Sequence, residues 1–427
     1  LSQAELYRRT ILPSGVILVT ESLPHVRSLA AGLWITTGSR HESRQQNGLS
    51  HLLEHMVFKG TRRRSAQEIA HYLESLGGHL DAFTSKEETC FYARTLDEHL
   101  PQALDILTDI VTQPKLSAED LEKERQVILE EIKSVHDTPD DLVHDLLAQA
   151  LFDGHPLSYP VLGSSANCRR FDAGTLRQFW SDHYRPQNFI LAVAGNVDHD
   201  QVVDIWSRLL PEIRDTASTP PGPLAPRYTS GFRIKRKRTS QVHLCLGFPG
   251  LSSCHADRFV LLVLNAVLGG GMSSRLFQRI REQEGLAYSV YSYLDFYRDS
   301  GLLAVYLGVA GDNVGKSLEL ALKEIGRLRR EALPPDVLQN AKAQLKGNLM
   351  LSLESVSNRM FRLARSEISR LPFLPLDKVV ALIDQVSSEQ IKNLAQELLA
   401  PERLALAATG QLPPDRIDID RLRERLV

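Results

Sequence analysis

His51, Glu54 and His55 stand within five residues of one another in "NGLSHLLEHMVFKG", residues 47–60. The flanking leucines, methionine and valine give the stretch a helical pattern. On a helix, two histidines four apart differ by one turn, so both imidazoles project from one face and can reach a common point. A catalytic zinc ion takes three protein ligands and keeps its fourth position for water. Glu54, three residues after His51, lies on the same side but offset, where its carboxylate can take a proton from that water. The order H-x-x-E-H reverses the better-known H-E-x-x-H and keeps its chemistry. The alternative is a half-buried helix with ordinary surface histidines.

A supply of third ligands separates the two readings. "LEKERQVILEEIKSV" is an amphipathic helix in which Glu124 and Glu131 are seven apart, two turns, and share a face. Glu131 could complete the metal shell. Glu124 could hydrogen-bond a ligating histidine or orient the helix. Glu122 and Glu130 read as a solvated face.

The elements that must position these residues follow from the rest of the chain. Its 427 residues, 43% of them hydrophobic, exceed one ordinary core and imply two or more domains. "PEIRDTASTPPGPLAPRYTSG", residues 211–231 with five prolines, cannot continue a helix or a central strand. The expected division is therefore a catalytic domain over 1–213, a linker over 214–231 and a second domain over 232–427. The halves repeat one order of elements: β-rich runs, an apolar helix, a second β-rich pair and two long helices. Strands grouped with helices, without regular βαβ alternation, predict an α+β fold of two homologous layered domains. Setting "HMVFKG" over "NAVLGGG" pairs His51, Glu54 and His55 with Leu261, Leu264 and Asn265. Setting "LSAEDLEKERQVILEE" over "LPPDVLQNAKAQLKGN" pairs Glu124 and Glu131 with Ala341 and Asn348. The second half thus builds the same elements without the ionisable set, so the fold does not require it.

A net charge of −2 supplies no field that would recruit nucleic acid or an anionic membrane, and leaves peptides or small molecules as partners. The four cysteines lack zinc-ribbon or redox spacing and favour a reducing compartment. The opening "LSQAELYRRT" has no apolar core of signal-peptide length, and no stretch reaches about 18 uninterrupted apolar residues. A soluble protein of the bacterial cytoplasm is expected, with the mitochondrial matrix as the alternative.

"HLLEH" followed 76 residues later by Glu131 within "ERQVILEEI" resembles the pitrilysin and insulinase peptidases, the inverzincins, and especially the short branch that includes mitochondrial processing peptidase. The resemblance covers nearly the whole chain. It implies one zinc ion per chain, with His51, His55 and Glu131 as ligands, Glu54 as catalytic base and Glu124 as an additional carboxylate supporting activity. "GGHLDAFTSKEETCFYAR" resembles the family's edge strand, onto which a substrate peptide adds through main-chain hydrogen bonds. That places Asp81, Ala82, Phe83 and Thr84 at the substrate; the family commonly has asparagine in place of Asp81. "REQEGLAY" resembles the arginine and tyrosine pair brought to the metal site by the last domain of longer members, here Arg281 and Tyr288, which would stabilise an oxyanion. Because this chain has only two domains, the resemblance implies a homodimer in which one copy's second domain faces the other's first, closing a chamber that admits unfolded peptides. It also admits a processing peptidase that needs a glycine-loop subunit, and a silent scaffold such as the core subunits of the cytochrome bc1 complex, which usually lose ligands.

"LGGGMSSRLF" lacks a lysine in P-loop register; it resembles the glycine-rich loop that some processing-peptidase subunits use near substrate, and a plain helix terminus is the equal alternative. "RIKRKR" reads as a solvated strand edge.

Overall fold

The computed structural model describes residues 6–210, 224–412 and 419–426. Of the linker expected at 214–231, residues 214–223 lie outside them. Two compact units emerge, the first drawn from Leu1–Ile132, Tyr159–Leu224 and Leu351–Pro375, the second from Lys133–Ser158, Ala225–Met350 and Leu376–Val427.

In the first unit, strands β1 (Tyr7–Ile11), β2 (Ile17–Ser22), β3 (Ser28–Ile35), β4 (His79–Thr84), β5 (Thr89–Leu96) and β6 (Phe189–Gly195) form a six-stranded sheet in the order β1-β2-β6-β3-β5-β4. In the second, β7 (Phe232–Arg236), β8 (Val242–Pro249), β9 (Ala287–Phe296), β10 (Gly301–Val309) and β11 (Ala405–Gly410) follow the order β7-β11-β8-β10-β9. The β2-β6 pair is parallel and the remaining pairs of its sheet antiparallel; β7-β11 is likewise the parallel pair of the second sheet. Strands β2-β6-β3-β5-β4 therefore repeat as β7-β11-β8-β10-β9 in the same chain order. The architecture is α+β and built twice.

Both sheets are covered on two faces, which explains why the central strands "SLAAGLWI" and "VHLCLGFP" are apolar nearly throughout instead of alternating with polar residues. Along β3, Leu29, Ala31, Leu33 and Ile35 enter one core while Ala30 and Trp34 enter another on the opposite face. Among the described residues, the helices that carry the ligand positions of either half or cover the second face of a sheet are α1 (Leu49–Val57), α2 (Ala118–Asp137), α3 (Pro139–Leu151), α4 (Arg258–Gly269), α5 (Pro335–Ser352) and α6 (Val356–Ile368). Helix α6 covers the second face of the first sheet through Met360, Leu363 and Ala364. Helix α3 covers the corresponding face of the second sheet, packing Leu142, Val143 and Leu147 with Cys245, Ala304 and Ala407. Each unit thus contains one helix from the other half of the chain, an exchange that the order of elements does not reveal.

Candidate metal centre

Helix α1 buries Leu49, Leu52, Leu53, Met56 and Val57 in the core of the first unit. That fixes which way the remaining face points. His51, 7% exposed, and half-buried His55 emerge from it side by side, their ring centroids 4.7 Å apart. Helix α2 buries Leu121, Glu124, Ile128 and Ile132, a stripe of helical period that carries Glu124 inward and sets Glu131 at its margin. A single oxygen, Glu131 Oε2, lies 3.6 Å from His51 Nε2 and 3.8 Å from His55 Nε2. One ligand atom from each of the three residues falls within 4.8 Å of the other two.

This donor set fits zinc. Tetrahedral bonds of about 2.0–2.1 Å place neighbouring donors roughly 3.4 Å apart, close to the separations found. Burial, and then the neighbouring His55, lower the pKa of His51 to about 3, so its imidazole is the free base that a metal requires. Glu124 Oε2 stands 3.1 Å from His55 Nδ1; that contact keeps the ring proton on Nδ1 and turns the Nε2 lone pair toward the shared point. Glu124 Oε1 is held in turn by Lys59 Nζ at 2.7 Å. Sequence reasoning missed Lys59. It lies four residues after His55 in the turn that follows α1, beyond the helix whose period could have pointed to it.

Glu54 is held beside the ligands by Thr84, whose hydroxyl donates to Oε2 at 2.5 Å. Burial raises its pKa; the Thr84 bond and His55 oppose the rise, and the charges of Glu131 and Asp81 add to it. A base that clings to its proton above the ordinary carboxylate range is suited to accepting one near neutrality.

Strand β4 is an edge strand of its sheet. Its side chains alternate: Leu80 and Ala82 pack on the core that holds α1, whereas Phe83 lies against Tyr92 and Phe361 on the opposite face. Asp81 is turned to its own hairpin, Oδ1 accepting from the Ala82 N–H at 2.8 Å and Oδ2 from the Tyr92 hydroxyl at 3.0 Å. Arg281 and Tyr288 belong to the second unit. The Arg281 guanidinium lies 4.9 Å from the Phe277 ring centroid and 5.8 Å from that of Tyr288, which is 76% exposed on the edge strand β9.

The ligand positions of the first half are occupied differently in the second. Leu261, Leu264 and Ala341, which the alignment sets opposite His51, Glu54 and Glu124, are buried in the second unit's core, and Asn265 Oδ1 accepts from the Ser292 hydroxyl at 2.7 Å. Asn348, opposite Glu131, is exposed, and no His/Cys/Asp/Glu cluster that could hold a metal stands at these positions among the described residues.

A pH prediction arises from His51. Between its folded value of about 3 and the ordinary 6.5, the unfolded chain binds a proton that the folded chain does not, so stability rises with pH across that window. The contribution is complete above 6.5 and is lost as pH falls toward 3. Thermal unfolding of zinc-free protein should show a melting temperature that drops on acidification through this range. His51→Gln should flatten that slope.

A twice-built α+β scaffold that carries, in one copy, two histidines and a glutamate able to hold a metal ion defines the class. Residues 17–165 match the family described as Insulinase (Peptidase family M16), and residues 170–345 match the Peptidase M16 inactive domain. The zinc protease YmxG of Bacillus subtilis (strain 168) is 42% identical over 412 residues, spanning 96% of this chain and 100% of YmxG. The chain belongs to the M16, or insulinase, peptidase family. Two solved structures share its fold: a protease from Helicobacter pylori (TM-score 0.88, 20% identity, 95% of this chain and 99% of that one) and a chain of Complex III2 from Candida albicans (TM-score 0.85, 21% identity, 98% and 99%). No helix among the described residues is long and apolar enough to cross a membrane.

Proposed function

We propose that the protein is a zinc endopeptidase that hydrolyses unfolded peptides inside an enclosed chamber. The observation that carries this reading is the convergence of His51, His55 and Glu131 on one point, with Glu54 held alongside by Thr84. When bound there, zinc supplies Lewis-acid polarisation of the scissile carbonyl and acidifies the attacking water. Glu54 accepts that water's proton and returns it to the leaving amine. The edge of β4 offers main-chain hydrogen bonds to an extended peptide, so grip does not depend on substrate side chains. Its own bonds to Ala82 and Tyr92 leave Asp81 a hairpin role beside any contact it makes with substrate.

Fold alone does not choose between a peptidase and a scaffold, since the same architecture occurs in a protease and in a chain of Complex III2. The retained donor set favours the peptidase. Bacterial relatives and four free cysteines fit the reducing cytoplasm of a bacterium. The test is zinc content measured beside hydrolysis of an unstructured peptide: chelation should abolish cleavage and zinc should restore it. A zinc-loaded protein that leaves every such peptide intact would refute the assignment.

A second copy supplies Arg281 and Tyr288 in this reading, as donors to the oxyanion of the attacked carbonyl. Mixed Glu54→Gln and Arg281→Ala chains should then regain part of the lost activity, up to about a quarter of wild type, because one arrangement in a mixed dimer unites two intact contributors. Absence of recovery after proven subunit exchange would show that each site is built within one copy.

A further inference from the structure

Helix α1 is capped from outside itself. Its N-cap residue is Gly48, at φ 107°, which has no side chain to accept the free N–H groups of the first turn. The carboxylate of Glu42 takes that place: Oε1 accepts from the Ser50 N–H at 2.6 Å, and Oε2 accepts from the Gly48 N–H at 2.8 Å and from Asn47 Nδ2 at 3.1 Å. Glu42 is 1% exposed. Asn47 is itself anchored, its Nδ2 also donating to the Pro160 carbonyl at 3.0 Å and its own carbonyl accepting from Asn167 Nδ2 at 3.1 Å. A Cβ on Gly163 would come within 2.4 Å of that carbonyl, so the backbone there is closely approached on another side.

A buried carboxylate is an expensive way to cap a helix. Desolvating the charge opposes it, and three donors with the positive end of the helix dipole offset that cost only in part; at φ 107° Gly48 cannot be exchanged for a serine cap without backbone strain, so the acceptor has to come from outside the helix. What the carboxylate adds is rigidity at one place: it grips Ser50, the residue before His51, from a segment outside the helix. His51 and His55 must both meet Glu131, which arrives on a different helix, and a ligand set tolerates about 0.5 Å of misplacement.

We propose that Glu42 is a positioning residue of the metal centre, its buried carboxylate fixing the first turn of α1 and thereby the approach of His51 to Glu131. The inference rests on the zinc-peptidase reading. In Glu42→Gln the side chain keeps its size but turns a donor toward backbone N–H groups. Zinc dissociation constants from chelator competition should rise at least about tenfold in this variant. A core substitution elsewhere in the unit serves as comparison: Trp206→Phe removes the indole donor to Thr108 Oγ1 at 2.7 Å and should lower the melting temperature of zinc-free protein while leaving zinc affinity unchanged. If Glu42→Gln fails to fold, Asn47→Ala, which removes one donor and leaves the carboxylate, should weaken zinc about twofold to fivefold. Wild-type zinc affinity in Glu42→Gln, or in Asn47→Ala where only that variant folds, would overturn the proposal whatever the melting temperature does. A wild type that takes up no zinc would overturn the zinc reading and this inference with it.

Discussion

Glu54→Gln should keep its zinc and lose turnover by about 10²–10⁴-fold, the range that a positioned general base contributes. The amide has nearly the shape of the carboxylate and can still accept the Thr84 hydroxyl, now found at 2.5 Å from Oε2, so the surroundings have little reason to move. It cannot take up a proton. The metal is held by other residues, His51, His55 and Glu131, and its content should match wild type. Because the replaced group is a carboxylate held in a desolvating setting that raises its pKa, removing its charge should leave the melting temperature unchanged or slightly higher. Zinc content, unfolding and kcat measured on one preparation therefore separate a base from a structural residue. Turnover within tenfold of wild type would remove Glu54 from the chemistry.

The parts of this site that a sequence reveals are those fixed by local periodicity. His51 and His55 share a face because a helix repeats every 3.6 residues, and Glu124 and Glu131 share one for the same reason; Leu52, Met56, Ile128 and Ile132 announce both helices. The repeat was legible in the same way, as an order of elements that returns, and the parallel pairs β2-β6 and β7-β11 show it at the level of topology. What stays hidden depends on contacts between segments that no period connects. Glu42 reaches Ser50 across a loop whose Gly48 adopts a positive φ. Thr84 belongs to a strand chosen for its edge, yet the bond it makes is to Glu54. Helices α3 and α6 each follow a long helix of their own half of the chain and cover the sheet built from the other half. Amphipathicity says that such a helix has a face to bury and is silent about where.

Glu131→Ala and Glu124→Ala should differ in kind. Glu131 Oε2 is the atom close to both Nε2 nitrogens, 3.6 and 3.8 Å away, and without it two imidazoles alone must hold the ion. Zinc should be lost on dialysis and hydrolysis should fall by at least about 10³-fold, with no rescue at modest excess metal. Glu124 touches His55 at Nδ1, on the far side of the ring from the donor atom. Its loss frees the ring to turn and removes the acceptor that raises its basicity, which should weaken zinc about 10–100-fold and leave activity recoverable when zinc is added in excess. Equilibrium zinc affinity and activity as a function of added zinc distinguish the two patterns. A carboxylate beside two histidines could also be an ordinary ion pair with a protonated ring. That reading requires a charged imidazole in a setting that lowers the pKa of His51 to about 3, and it predicts that both variants keep the metal equally well. Equal zinc affinities in Glu131→Ala and Glu124→Ala would thus take Glu131 out of the ligand set.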